Sequence, residues 1–363
     1  WLRDYIFPAE GKHANSAFVY LGTKLSAAEM ALNGITTFAD GYFHMEHAAR
    51  ATQEIGLRAV IAQGVLDVPT PDAAEPGSWK QRAEHFLAEC PRNELITPAL
   101  FCHSPYLCSP ETFTQAAEMV SNTGGLLFSH VSETAQEVKD ITDRYGFTPL
   151  ELLHRHGILG KHFVAVHGVH LSDREKDLLA ESGSGLIHCP ECNMKLASGA
   201  ADITGLLTRG ATVGLGTDGP ASNNNLDLFE EMRSASLMAK LVSGNPEALD
   251  ARTAIRMATL GGAEALGMQD SIGSLVPGKL ADVTVVDLDR MHLIPAYDPL
   301  SHLVYAARGS DVRHVLVNGR MVVRNGRVVT TNENDLKTQV KVQAKKIGAS
   351  LGREIMGDRV RHA

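Results

Sequence analysis

The sequence predicts an α/β fold: a metal-dependent-hydrolase type of TIM-like (β/α)8 barrel, followed by a small β-sandwich-type domain. Seven short apolar runs alternate with amphipathic stretches about 30 residues apart, which suits an eight-stranded barrel of about 250 residues. The runs are continuously apolar, as in parallel strands buried on both faces. No glycine-rich phosphate loop follows an early strand, which disfavours an open doubly wound sheet.

The predicted strands come in the order of the chain. They span residues 35–40, 58–64, 96–104, 126–133, 163–171, 185–190 and 212–219. Helical stretches such as "SPETFTQAAEMVSNTG" and "SDREKDLLAESG" separate them, and Ser172 is suited to cap the second. Since an eight-stranded barrel needs one more strand, we expect the first strand to be missing from this chain, which begins on Trp1.

The pattern changes after residue 265. "VRHVLVNGRMVVRNGRVV" is rich in β-formers, and the two "NGR" segments at 318–320 and 325–327 predict tight turns. We therefore predict a catalytic barrel over residues 1–265, a small composite β domain over 266–332, and a C-terminal helical segment over 333–363, its helix covering 333–352.

Composition restricts the class of partner. The formal net charge is −8, without long runs of either sign, which disfavours nucleic acid and anionic membranes as partners. No run of 18 apolar residues predicts a transmembrane helix. Five scattered cysteines do not form a disulfide framework, so we expect a cytoplasmic protein. Homo-oligomerisation is left open.

Polar residues close most of the apolar runs. In a parallel barrel, functional side chains lie at the carboxyl ends of the strands, where the loops form one rim. A single histidine at a strand end is more often structural, but five consecutive strands deliver a histidine or an acid to this rim. These residues are His103, His130, Glu133, His167, His188 and Asp218.

Histidine and aspartate together suit a divalent cation such as Zn²⁺. Glu133, three residues after His130, is placed to act as a general acid/base without binding the metal. The alternative is that Glu133 only begins the next helix, where the helix dipole favours an acid.

Other histidine and cysteine motifs give weaker signals. His154 and His156 lie in a helical pattern, where residues two apart face different directions and cannot share an ion. "HMEH" (44–47) has helical chelating spacing, but solvated histidines are the simpler interpretation. "CPEC" (189–192) stands alone, so it is weak evidence for zinc or redox chemistry.

Six motifs together resemble the amidohydrolase superfamily, and within it the 5-methylthioadenosine/S-adenosylhomocysteine deaminases. They are "HSPYLCSPE", "HVSET", "VAVHGVHLS", "HCPECNMKLASG", "GLGTDGPASNNNLDLFEEMR" and "IGSLVPGKLADVTVVD". The resemblance implies one divalent metal ion, usually zinc. Its ligands would be His130, Asp218 and an H-x-H pair upstream of Trp1.

The resemblance also implies catalytic roles. Glu133 matches the proton shuttle to a ring nitrogen, and His167 matches the histidine that orients the attacking water. Asp218 accepts a proton from that water. His103 matches the histidine that contacts the purine, which makes His103, Glu133 and Asp218 the implied substrate-binding residues.

The implied activity is metal-dependent hydrolytic deamination of a 6-aminopurine nucleoside: 5′-methylthioadenosine, S-adenosylhomocysteine or adenosine. Relatives that bind an amino-acid carboxylate have an arginine where this chain has Gln63, which favours substrates without that group. One alternative is deamination of another ring, such as guanine, a cytosine-like base or a triazine. The other is a metal-free scaffold or binding protein.

Overall fold

The computed structural model describes residues 2–75 and 77–350. In that part of the chain seven parallel strands form one sheet, ordered as in the sequence. They are β1 Thr37–Tyr42, β2 Arg58–Val65, β3 Ile96–Cys102, β4 Leu127–Val131, β5 Phe163–His167, β6 Gly185–His188 and β7 Thr212–Leu215. Each strand pairs in parallel with the next, from the β1–β2 pair to the β6–β7 pair. The barrel-type fold class is confirmed.

The connecting segments are mostly helical. The helices are α1 Phe7–His13, α2 Ser16–Leu32, α3 Met45–Ile55, α4 Trp79–Glu89, α5 Pro110–Thr123, α6 Ala135–Tyr145, α7 Pro149–Arg155, α8 Asp173–Ser182, α9 Pro190–Lys195, α10 Ile203–Thr208, α11 Leu228–Ser243, α12 Ala251–Arg256, α13 Gly262–Ala265, α14 Pro299–Tyr305 and α15 Glu333–Ser350. Short π-helical turns at Leu2–Ile6 and Met257–Gly261 and a 3-10 turn at Gly309–Asp311 complete them.

Helix starts follow local capping chemistry. The Ser172 hydroxyl accepts the Glu175 backbone N–H, and the Glu175 carboxylate accepts the Ser172 N–H, which confirms the predicted cap of α8. At the start of α5 the Ser109 hydroxyl accepts the Thr112 backbone N–H, with Pro110 in the first turn. These two caps fix the residues at which α5 and α8 begin, and so the lengths of the loops before them.

The sheet is buried on both faces, as its continuous apolar runs predict. One face packs against the helices through residues such as Ile61, Leu100 and Phe163. The other forms a smaller interior cluster that includes Val60 and Phe128. Every residue of β2 is buried.

The sheet curls so that its two outer strands approach each other at the rim. Asp40 on β1 and Asp218 after β7 interact electrostatically although five strands separate them in the sheet. The carboxyl ends of all the strands therefore surround one space.

Four further strands form an antiparallel sheet in the described part of the chain, ordered β11-β10-β9-β8. They are β8 Val283–Val286, β9 Val312–Val317, β10 Arg320–Arg324 and β11 Arg327–Val328. Both predicted "NGR" turns connect its strands, with positive φ at Asn318 and Asn325 and at the glycine after each, as type I′ turns need.

A buried ion pair joins this sheet to the barrel. Arg58, at the start of β2, donates from Nε and Nη2 to the two carboxylate oxygens of Asp282, at 3.0 and 3.1 Å. Asp282 also accepts the Asn318 backbone N–H at 2.7 Å. The predicted domain boundaries at residues 265 and 332 stay predictions.

Several strand limits were predicted wrongly. The strands predicted to end at residues 133, 171 and 219 end at Val131, His167 and Leu215. Left-handed residues, Ser132, His167 and Asp218, lie at or shortly after these ends, and the polar residues beyond the strands lie in loops. The predicted terminal helix runs from Glu333 to Ser350, and residues 351–363 lie outside the described part. Among the described residues, no helix has both the length and the apolarity to cross a bilayer.

Candidate active site

The structure brings five of the six predicted rim residues together. His103 follows β3, His130 lies on β4 and His167 ends β5. Glu133 follows β4 and Asp218 follows β7. Parallel strands direct all of these side chains to the same edge of the sheet.

Three of the histidines form a row of rings. The His130 ring lies between the other two, with centroids 4.9 Å from His103 and 5.2 Å from His167. Phe101 packs edge-on against His130 with centroids 4.8 Å apart. His167 is buried and the other two rings are partly buried, so water is partly excluded around them.

Burial favours the neutral form of two of these imidazoles, His103 and His130. Desolvation lowers the pKa of His103 to about 4. It also lowers the pKa of His130 well below its usual range, and the neighbouring His103 and His167 rings lower it further. A neutral imidazole is the form that ligates a metal or accepts a hydrogen bond.

His167 lies close to two carboxylates. Its Nε2 is 3.8 Å from Glu133 Oε2 and 4.0 Å from Asp218 Oδ2. Its Nδ1 is 2.9 Å from Asn193 Oδ1, so with the amide oriented this way Nδ1 carries the proton. With the proton on Nδ1, the Nε2 lone pair faces the Glu133 and Asp218 carboxylates. A cation or a proton between these three groups would stabilise the arrangement.

A thiol completes this group. Cys192, in the first turns of α9, donates a hydrogen bond from Sγ to Asp218 Oδ2 at 2.9 Å. Ligating atoms of Glu133, His167 and Cys192 all lie within 4.8 Å of one another. Nitrogen, oxygen and sulfur donors in so small a space fit a borderline cation such as zinc.

The backbone is left-handed at three positions around the site. Ser132, His167 and Asp218 have φ of 52°, 75° and 60°. Non-glycine residues adopt this conformation at a cost, which commonly marks positions that the surrounding structure holds for function. Here it turns the chain abruptly at the strand ends, so that Glu133 and Asp218 face the space between the strands.

Two further carboxyl groups and one amide lie near the rim. Burial raises the pKa of Asp40 to about 6, and the nearby Asp218 raises it further. Gln63, near the end of β2, is buried and donates from Nε2 to Asp72 Oδ2 at 3.0 Å. Arg82 donates to the same Asp72 oxygen at 2.9 Å. The side chain at position 63 therefore carries no charge, and the charge of the Arg82 guanidinium is balanced by the Asp72 carboxylate.

The sixth rim residue, His188 at the end of β6, makes no hydrogen bond to this group. It is fully buried, and neither ring nitrogen has a hydrogen-bond partner among the described residues. Burial lowers its pKa to about 3, with a further contribution from His167. We assign His188 to the packing beneath the site.

The other histidine motifs lie outside the group of rim residues. His154 is exposed on α7 and His156 ends that helix. His44 precedes α3 and His47 lies within it, 3.7 Å from its neighbour Glu46.

Sequence reasoning missed several site residues. The Ser198 hydroxyl donates to Glu133 Oε1 at 3.1 Å, and Asn193 contacts His167. The sequence marks Cys192 only as the second cysteine of the "CPEC" motif, which is weak evidence for zinc or redox chemistry. Asp40 ends the apolar run 35–40, and the rule that identified Asp218 identifies it as well.

Comparisons with known proteins show which family the chain resembles. The amidohydrolase family profile matches residues 1–322. A 5-methylthioadenosine/S-adenosylhomocysteine deaminase from Syntrophobacter fumaroxidans is 44% identical over 347 residues, 96% of this chain and 79% of the relative. A 5′-deoxyadenosine deaminase from Methanothermobacter thermautotrophicus is 43% identical over 335 residues, 92% of this chain and 77% of the relative.

A solved structure is similar over most of its length. The crystal structure of an adenosine deaminase from Xanthomonas campestris with bound zinc superposes with a TM-score of 0.94 at 36% identity, covering 96% of this chain and 80% of that one. The family match, the sequence identity and the shared fold lead to one conclusion. The chain belongs to the amidohydrolase family.

Proposed function

We propose that the protein is a hydrolytic, metal-dependent deaminase of 6-aminopurine nucleosides, which it converts to the inosine-type product and ammonia. The observation that carries this proposal is the position of His167 Nε2, 3.8 Å from the Glu133 carboxylate and 4.0 Å from that of Asp218. Two acids on either side of one imidazole can move protons at both ends of a hydrolytic step. The similarity to proteins named as deaminases of adenosine-type nucleosides supports the substrate class.

The family and a zinc-bound structural relative support a metal cofactor. We propose one ion, Zn²⁺, with His130 and Asp218 among its ligands. The neutral state of His130 and the mixed donors beside it fit such an ion. When bound, a divalent cation supplies the charge that lowers the pKa of water and makes it a nucleophile at neutral pH.

The residues of this chain then hold and move protons. Asp218 accepts a proton from the attacking water, and the Cys192 thiol fixes the orientation of its carboxylate. Glu133, held by the Ser198 hydroxyl, delivers a proton to a ring nitrogen as the C–O bond forms at C6. The proton on Asp218 then passes to the amine as the C–N bond breaks and ammonia leaves, and the C6 hydroxyl proton returns to Glu133, which restores both acids. His167, fixed by Asn193, orients the water between the two acids.

Neutral His103 is suited to bind the purine. With a pKa of about 4 it stays uncharged at neutral pH, so it can exchange a hydrogen bond with a ring nitrogen without repelling the metal. Gln63 carries no charge and Arg82 is paired with Asp72. We therefore propose substrates with an uncharged 5′ group, such as 5′-methylthioadenosine, 5′-deoxyadenosine or adenosine.

A substrate panel tests the proposal. The protein expressed from its complete gene is supplied with zinc and assayed for ammonia release and for the ultraviolet change from aminopurine to oxopurine. We expect turnover of the three uncharged nucleosides and a lower kcat/KM for S-adenosylhomocysteine. Exclusive turnover of guanine, a cytosine-like base or a triazine would select the alternative ring, and a zinc-loaded protein that releases no ammonia from any of them would overturn the proposal.

A further inference from the structure

The first turn of α6 differs from an ordinary capping box. In α8, the acid at the third helical position, Glu175, accepts the backbone N–H of its own cap residue, Ser172, at 2.8 Å. In α6, Glu137 occupies the same position, and its N–H donates to the hydroxyl of its cap residue, Thr134. The Glu137 carboxylate, however, extends past Thr134 to the two residues before it.

Those two residues carry the turn that presents Glu133. Glu137 Oε1 accepts the Ser132 N–H at 3.0 Å, and Oε2 accepts the Glu133 N–H at 2.8 Å. Ser132 has a φ of 52°, a left-handed conformation that is unfavourable for serine. Glu137 is buried, with 5% of its surface exposed, so both hydrogen bonds are shielded from water.

The same turn is held on its other side. The Ser132 carbonyl accepts the His170 backbone N–H at 2.9 Å. The His170 ring donates from Nε2 to the Ser198 carbonyl at 2.7 Å, and the Ser198 hydroxyl donates to Glu133 Oε1 at 3.1 Å. A closed circuit of hydrogen bonds thus runs from the Glu133 backbone through Glu137, Ser132, His170 and Ser198 to the Glu133 carboxylate.

We propose that Glu137 is a positioning residue for Glu133, a role that rests on the proposed deaminase function. Glu137 fixes the backbone of the general acid/base, while Ser198 fixes its carboxylate. Displacing a catalytic group by about 1 Å can lower a rate by about a hundredfold, so the benefit of this circuit is in the chemical step rather than in substrate binding.

Glu137→Gln tests the proposal because the amide oxygen can still accept one of the two backbone N–H groups. The NH₂ group faces the other N–H, donor against donor, so that hydrogen bond is lost. We expect kcat to fall by about tenfold or more with KM within about twofold, and metal content unchanged. Glu175→Gln is the matched control: a buried acid at the same helical position, bound to its own cap residue. It should lower the melting temperature and leave kcat close to wild type.

A double-substitution cycle separates positioning from general loss of structure. If Glu137 acts through Glu133, Glu137→Gln lowers the rate little further in a Glu133→Gln background. The proposal is overturned if Glu137→Gln lowers the rate by the same factor in the wild type and in Glu133→Gln. It is also overturned if Glu137→Gln leaves kcat unchanged, or if Glu175→Gln lowers kcat by as much. If Glu137→Gln does not fold, Ser198→Ala tests the other end of the circuit and must show the same split between kcat and KM and the same cycle.

Amide hydrogen exchange gives a readout that does not need activity. The N–H groups of Ser132 and Glu133 should exchange slowly in the wild type and markedly faster in Glu137→Gln, but not in Glu175→Gln. Wild-type turnover, measured in parallel, reports on the proposed function alone. A wild type without deaminase activity rejects that function, whereas unchanged exchange at these two amides rejects the positioning.

Discussion

The Cys192 thiol donates a hydrogen bond across 2.9 Å to Oδ2 of Asp218, although the two residues follow different strands. Burial raises the pKa of this thiol, and the adjacent Asp218 carboxylate raises it further, so Cys192 remains protonated as a donor. A weak donor therefore orients a carboxylate to which we assign both metal binding and proton transfer.

Cys192→Ser should retain activity and Cys192→Ala should lose part of it. A serine hydroxyl can still donate to Asp218, whereas alanine removes the donor. A hydrogen bond to a charged group contributes about 1.5–3 kcal/mol, so we expect a fall in kcat of about tenfold to a hundredfold for the alanine variant. Steady-state ammonia release is the measurement, with Cys90→Ala, a buried cysteine at the end of α4, as the control. Equal activity of the two Cys192 variants would contradict this role.

Glu133→Gln should nearly abolish turnover while substrate still binds. The amide cannot transfer a proton, and general acid/base catalysis contributes about 10²–10⁴ in rate. Fluorescence or calorimetric titration with a nucleoside should give a dissociation constant near that of the wild type. Glu118→Gln, an exposed position on α5, is the control. Full activity in Glu133→Gln would mean that Glu133 only begins the next helix, where the helix dipole favours an acid.

Removing the metal should abolish activity and lower the melting temperature. A bound ion stabilises the folded state in proportion to the logarithm of its concentration over its dissociation constant. Chelation followed by zinc addition should reverse both effects. His130→Ala should bind less zinc by elemental analysis, whereas His154→Ala, on the exposed face of α7, should not. Undiminished turnover after complete chelation would reject a metal-dependent reaction.

Acidification should destabilise the protein through His188. Its pKa is about 3 in the folded protein, and a histidine in an unfolded chain titrates near 6.5. Between these values the unfolded state binds the extra proton, so stability falls as the pH falls from about 6.5 toward 3. One such residue accounts for about 2 kcal/mol at pH 5.

His188→Leu should therefore flatten the pH dependence of stability. Leucine fills similar space, and it removes no side-chain hydrogen bond seen among the described residues. Urea unfolding at pH 7.5 and pH 5 measures the difference, with exposed His154→Gln as the control. His103 and His130 retain part of the dependence, since their pKa values are also lowered. If the unfolding free energy of His188→Leu depends on pH as steeply as that of the wild type, the His188 ring is accessible to water in solution.

The Arg58–Asp282 pair should show strong coupling. Its side chains are 7% and 4% exposed, so removing one partner leaves the other charge buried. Such single removals cost about 3–5 kcal/mol, whereas replacing both partners with apolar residues costs much less. Urea unfolding of Arg58→Met, Asp282→Leu and the double variant gives the coupling energy. Additive losses would mean that water screens the pair.

Much of the barrel could be predicted because its signals are local. Apolar runs, caps such as Ser172 and turns such as Asn318–Gly319 depend on a few neighbouring residues. The edge where His103, His130, His167 and Asp218 meet followed from the rule that parallel strands share their carboxyl ends. The strand limits failed where left-handed residues interrupt an apolar pattern.

The remaining site residues could not be predicted because they depend on tertiary approach. His167 and His188 both end apolar runs, yet only His167 meets Asn193 and the two acids. Cys192 lies in α9 after β6, and only the fold brings its thiol within 2.9 Å of Asp218, which follows β7. Glu137 matches an ordinary capping acid in the sequence, and only the folded turn reveals that its partners are Ser132 and Glu133.

The left-handed backbone at Ser132, His167 and Asp218 limits how this site can be redesigned or transplanted. Copied onto regular strands of another barrel, the side chains would point to one face of the sheet or the other instead of across the opening. A graft must therefore include the loops that enforce these dihedral angles. In directed evolution of substrate range, β-branched residues at these three positions should be counter-selected whatever the chemistry of their side chains, so diversity is better placed at Gln63 and His103.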